Sequence, residues 1–135
     1  AEAANEAWGP EGTGALAYSA RNVIAAIRKR AGLADPDTYL ASITSKEDMR
    51  ALIRNERRLE ISFEGFRFWD LRRWKTAPVE LNKALRSWNL RQKEPINYYV
   101  PITIVNQSFG LKDYFWPIRQ YDLIVNKNLV QSPGW

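Results

Sequence analysis

Asn55-Glu-Arg-Arg-Leu-Glu-Ile-Ser-Phe-Glu-Gly-Phe-Arg-Phe-Trp-Asp-Leu-Arg-Arg-Trp-Lys75 interleaves charged residues with bulky aromatics and holds no long run of like charge. Such a mixture suits neither open water nor a dry core. A pair of helical turns resolves it, with aromatics packed inward and acids paired with arginines at the border. Leu52, Leu59, Phe63 and Phe66 keep helical spacing, and Glu56 falls in the same stripe. Thr44 followed by Glu47 is a capping-box signal for the start of that helix. Gly65 is expected to kink or break it. A second short helix then runs from Phe66 to about Lys75 and stops before Pro78.

Upstream, Leu16, Ala20, Val23, Ile27 and Ala31 predict a helix with one apolar stripe, closed by Gly32 as a left-handed cap. Arg28, Lys29 and Arg30 fall in its last turn, where cations suit the helix dipole. Residues 1–8 read as helical and stop at Gly9-Pro10, and Glu11 to Gly14 is a turn. Asp35-Pro36-Asp37 opens a loop or a short helical turn. Leu81 and Leu85 at spacing four predict a further helix from Val79 to about Leu90. Beyond it, Tyr98 to Val105 and Tyr114 to Ile118 are β-branched, aromatic and interrupted by proline, so they read as extended or short edge strands. Asn126-Lys127-Asn128 and Pro133-Gly134 are turns. The expected fold is mainly α, helical over residues 1–90, with an extended or irregular tail over 91–135 and few or no short strands. The first residues read as the middle of a helix, with no initiator Met, so the chain is expected to be a piece of a longer protein. No stretch of about eighteen apolar residues is present to span a membrane as a helix.

The chain has 135 residues, 45% of them hydrophobic and 26% charged, which is the composition of a globular domain. Its net charge of +5 is spread out, with no block of five or six like charges, so no nucleic-acid partner is assigned. There is no His and no Cys. That removes the usual neutral-pH general base, thiolate nucleophiles, disulfides and the softer metal ligands. Only an all-oxygen calcium site would remain, and Pro36 between Asp35 and Asp37 spoils the nearest acidic pair. No metal or other cofactor is assigned. Gly9, Gly12 and Gly14 lack the preceding strand and the lysine of a phosphate-binding loop, and read as a helix connection.

Glu56, Glu60 and Glu64 lie at spacing four, with Asp70 beyond them. A glycosidase needs two carboxylates about 5 to 10 Å apart across a cleft. However, Arg57, Arg67 and Arg73 each lie within three residues of an acid. Glu64 to Arg67, Arg67 to Asp70 and Asp70 to Arg73 are all helical neighbour steps. Paired carboxylates stay ionised, which suits packing and works against a general acid. Glu56, Arg57, Glu60, Glu64, Arg67, Trp69, Asp70 and Arg73 are therefore read as an ion-pair and aromatic scaffold, with no catalytic residue. Phe63, Phe66, Phe68, Trp69 and Trp74 belong to the same helical path, and core packing is the expectation for most of them. Trp8, Trp88, Tyr98 and Tyr99 stand in or beside loops. Trp88, beside Arg86, Asn89 and Arg91, either caps the core under a loop or offers a sugar ring a flat face flanked by donors. Trp88 and Tyr98 are the candidate ligand contacts.

Taken together, several stretches resemble the C-terminal portion of the SusD/RagB-like family. They are Ala1 to Glu6, Val23 through Arg28-Lys-Arg-Ala-Gly-Leu33, Ile53-Arg-Asn-Glu-Arg57 with Phe63-Glu-Gly-Phe-Arg67 and Trp69-Asp-Leu-Arg-Arg-Trp74, and Tyr114-Phe-Trp-Pro-Ile118 onward to Gln131-Ser-Pro-Gly-Trp135. The chain departs from the family at Arg119, where Pro-Ile-Pro is usual, and at Ser132, where Gln-Asn-Pro-Gly is common. Thr76 to Tyr98 matches poorly. The resemblance implies helical hairpins of tetratricopeptide-like type and a non-enzymatic nutrient-binding protein, usually for glycans. It implies a SusC-like TonB-dependent transporter as partner, and an outward-facing place at the outer membrane through an N-terminal lipid anchor absent from this chain. It also places most of the ligand pocket upstream. A peptide-binding member of the same superfamily and a helical-repeat interaction module are the alternatives.

Overall fold

In the computed structural model the buried stripe of α4 (Lys46–Glu60) is Met49, Leu52, Ile53 and Glu56, the three-and-four spacing of one helical face. Leu59 and Phe63, predicted on that stripe, are exposed instead. The helix starts one residue later than Thr44 suggests. Ser45 is the N-cap, its hydroxyl accepting from the Asp48 N–H at 3.0 Å and donating to the Asp48 carboxylate at 2.6 Å. The helix ends at Glu60, short of Gly65, which takes a left-handed φ of 78° ahead of the next helix.

The structure describes residues 1–15, 17–88, 90 and 99–135. They form two compact units, Ala1–Phe66 and Arg67–Trp135. The first holds α1 (Glu2–Trp8), α2 (Ala20–Arg30), α3 (Thr38–Ser42) and α4. Ser19 caps α2, accepting from the Asn22 N–H at 3.1 Å. Its other end is a Schellman motif: Leu33 N–H donates to the Arg28 carbonyl at 3.1 Å and Gly32 N–H to that of Lys29 at 3.0 Å, with Gly32 at φ 85°. The core is Ala20, Ile24, Leu40, Ile43, Met49, Leu52 and Ile53. Asn5 of α1 is wholly buried and donates to the Lys46 carbonyl at 3.0 Å. The Arg21 guanidinium donates to the carbonyls of Leu40 and Ile43, closing the end of α3.

The second unit receives α5 (Phe66–Arg73) and contains α6 (Ala77–Leu81), β1 (Ala84–Trp88), β2 (Pro101–Asn106), a 3-10 turn over Leu111–Tyr114, and α7 (Gln120–Val125). Its small core is Leu71, Ala77 and Phe109, with Leu81 and Tyr114 packed against it. The helix predicted from Val79 to about Leu90 stops at Leu81. The Asn82 side chain there grips the Phe109 backbone, donating to its carbonyl at 3.0 Å and accepting from its N–H. Residues 84–88 then pair antiparallel with β2, from Ala84 opposite Asn106 to Trp88 opposite Pro101. Cross-strand hydrogen bonding wins over the helical spacing of Leu81 and Leu85. Tyr114 closes the 3-10 turn and is not in a strand, and α7 adds a helix where an irregular tail is expected. Among the described residues the architecture is mainly α and of tetratricopeptide-like helical type, with one two-stranded sheet. No helix of the described residues is long and apolar enough to cross a membrane.

Candidate functional site

Glu56 sits on the buried face of α4 and is only 7% exposed. A carboxylate there requires a partner. Arg28 supplies it from the buried side of α2, two turns beyond Ala20. Its Nη1 donates to the Glu56 carboxylate and its Nε to Asp37 Oδ2 at 2.5 Å. The Tyr39 ring lies 5.5 Å from the guanidinium carbon. One guanidinium thus joins α2, the entry to α3, and α4. Asp37 is also the N-cap of α3, accepting from the Leu40 N–H at 3.0 Å. One turn along α4, Glu60 accepts from Arg30 of α2. On the neighbouring flank Arg50 forks onto Glu6 of α1, at 2.5 and 2.7 Å.

Two of these contacts shift the titration of a carboxylate. The hydrogen bond from Arg28 holds the Asp37 carboxyl below the usual carboxylate range, helped by the Leu40 N–H. The Arg50 hydrogen bond does the same to Glu6. A carboxyl lowered in the folded state stabilises the fold above its unfolded pKa, near 4, and that contribution is lost as pH falls through the folded value. Stability is therefore expected to be flat from neutrality to about pH 5 and to fall steeply below about pH 4. Urea midpoints across that range check it. Asp37→Asn combined with Glu6→Gln should flatten the acid limb, and an unchanged slope would place its origin elsewhere.

Glu56 and Glu60 also line a hollow of about 380 Å³ with Val23, Ile27, Ile53 and Arg57. Both acids carry arginine partners there. Arg57 additionally covers the Phe66 ring, 5.7 Å from its centroid. Glu64 is exposed in the turn after α4. In the second unit Asp70 is buried and accepts from Arg73 at 3.3 Å, while Arg67 faces Glu80 at 3.6 Å. The arginine partners thus come mostly from other helices, not from the three-residue steps within one. Among the described residues no group of three or more Asp and Glu side chains could hold a metal.

The aromatics of this path are not the core that their spacing suggests. Phe63, Phe66, Phe68 and Trp69 are all exposed. Arginines cover some of them: the Arg72 guanidinium carbon lies 3.5 Å from the Phe68 ring centroid. Phe68 and Trp69 meet edge to face at 4.9 Å. Phe68 and Trp69 lie outside the small core of their unit, which is Leu71, Ala77 and Phe109.

Trp88 ends β1 and is 57% exposed. Tyr99, just before β2, meets it edge to face at 6.2 Å and 74°. The second candidate, Tyr98, lies outside the described residues, as do Asn89 and Arg91. Trp88 therefore stands as an exposed aromatic face at the end of β1, against the Tyr99 ring and opposite Pro101. The role of Arg28 escapes a reading that assigns it only to the helix dipole. Its signal is an arginine on the apolar stripe of one helix and a glutamate on that of another.

A model of the SusD family matches residues 1–135. Among solved structures, the crystal structure of a SusD-like protein from Bacteroides fragilis NCTC 9343 is similar over 99% of this chain, with 29% sequence identity and a TM-score of 0.78. The chain spans 23% of that protein's length. No curated protein matches.

Proposed function

The chain belongs to the SusD family, and from that premise we propose that it is the C-terminal portion of a non-catalytic, cell-surface nutrient-binding protein. Its ligand is a glycan, held by aromatic stacking and polar contacts without bond breaking and passed to a SusC-like TonB-dependent transporter. The full-length protein faces outward from the outer membrane on a lipid anchor. One observation carries the reading: charge is paired inside while aromatic faces stand outside. Glu56 and Asp70 are buried beside arginines, and Trp88 is open to solvent. Carboxylates engaged by arginine are poorly placed to act as general acids, whereas open tryptophan faces suit sugar rings.

Titration calorimetry of the full-length protein with polysaccharides and peptides tests the proposal. Trp88→Ala is expected to weaken binding of the preferred glycan about tenfold, near 1.4 kcal/mol. Unchanged affinity would remove Trp88 from the contact set. A peptide ligand is favoured by a different observation: β1 and β2 form a two-stranded sheet, and among the described residues no further strand pairs with either edge. An extended peptide could add to such an edge. Binding of peptides and of no saccharide would select that reading, and absence of any small ligand would select a helical-repeat interaction module.

A further inference from the structure

A second aromatic hollow lies in the unit Arg67–Trp135, formed by Phe68, Arg72, Asp113, Phe115, Trp116 and Trp135. Its volume is about 280 Å³. That is just below the range for small-molecule sites, roughly 300 to 1,000 Å³, and suits one ring rather than a chain. Trp116 is 71% exposed. Its ring is tilted 34° to that of Phe68, with centroids 6.3 Å apart.

The walls are fixed in place. Trp135 Nε1 donates to the carbonyls of Lys112 and Phe115 at 3.0 and 3.1 Å, and Lys112 Nζ sits 4.7 Å from the ring centroid. The segment carrying Trp116 is clamped from behind. The Gln131 side chain accepts from the Ile118 N–H at 2.8 Å and donates to its carbonyl at 3.0 Å, and Ser132 Oγ donates to the Trp116 carbonyl at 2.8 Å. Arg72 stacks on Phe68 and donates to the Asp113 carbonyl at 3.1 Å. An open tryptophan face held on rigid backbone, with a guanidinium and a carboxylate at its border, combines what a pyranose needs. The ring offers a flat surface to the C–H face of the sugar, and the charged groups offer a donor and an acceptor to its hydroxyls.

We propose that Trp116, with Phe68, Trp135, Arg72 and Asp113, forms a saccharide-ring subsite separate from Trp88. The subsite rests on the glycan-binding reading above, and the test tells the two apart. The full-length protein is titrated with malto-, cello-, xylo- and manno-hexaose while tryptophan fluorescence and heat are followed. Trp116→Ala should weaken the bound oligosaccharide about tenfold, and Trp116→Phe less, because a smaller ring remains. Asp113→Asn retains an oxygen for the Gly110 N–H, which donates to Asp113 Oδ2 at 2.7 Å, and should weaken binding without lowering the melting temperature. Should Trp116→Ala fail to fold, Trp116→Phe decides alone. Wild-type affinity in these variants, alongside measurable binding by the wild type, overturns the subsite and leaves the glycan reading intact. No binding of any oligosaccharide by the wild type overturns both.

Discussion

Arg28→Met is expected to cost about 3–5 kcal/mol of stability, the range for breaking a buried ion pair by removing one partner. Arg28 and Glu56 side chains are 13% and 9% exposed, so solvent cannot replace the lost contact without local opening. The variant strands the Glu56 carboxylate on the apolar face of α4 and removes the bridge between α2 and the start of α3. Combining Arg28→Met with Glu56→Leu removes both charges and should recover much of the loss, because a matched apolar pair in a buried site is often neutral or better. Urea unfolding of the wild type, both single variants and the double variant gives the coupling directly. A loss below about 1 kcal/mol for Arg28→Met would mean that the pair behaves as a surface salt bridge.

Ile24→Ala should cost about 3 kcal/mol, within the range for truncating a fully buried aliphatic side chain. Ile24 is 2% exposed and lies in the cluster with Leu40, Met49, Leu52 and Ile53. Part of the loss is transfer of the missing methylenes and part is the cavity left among side chains that relax incompletely. Ile24→Val, which deletes a single methylene, should cost about 1 kcal/mol. Equal losses for the two variants would mean that cavity size does not set the cost there. Chemical denaturation of the three proteins checks both values.

The helical class was legible because local signals there agree with tertiary packing. Ala20 keeps the predicted face of α2 with Val23 and Ile27 half-buried, although Ile24 is the buried centre and Ala31 is exposed; Gly32 closes the helix with the expected left-handed cap, and Gly65 separates α4 from α5. The second unit was harder to read. Leu81 and Leu85 carry helical spacing, yet Asn82 and the partner strand Pro101–Asn106 decide the local structure, and neither is a local signal. Pairing of acids with arginines was legible in kind, but its partners were not. Arg28 is 28 residues from Glu56 and Arg30 is 30 from Glu60, whereas helical spacing reports only neighbours three or four apart. The scaffold aromatics misled because spacing shows which residues share a face and not what that face meets. Trp116 and Trp135 come together through side-chain-to-backbone hydrogen bonds from Gln131, Ser132 and Trp135 itself. Spacing gives no warning of such contacts.

The most direct test of capture without cleavage is to incubate the full-length protein with the oligosaccharide it binds, at saturation, and to recover and weigh the ligand by mass spectrometry. The expected result is a ligand of unchanged mass and no new reducing ends. Release of shorter sugars at a rate abolished by Glu60→Gln would contradict it, and would turn the hollow lined by Glu56 and Glu60 from bracing into a hydrolytic cleft.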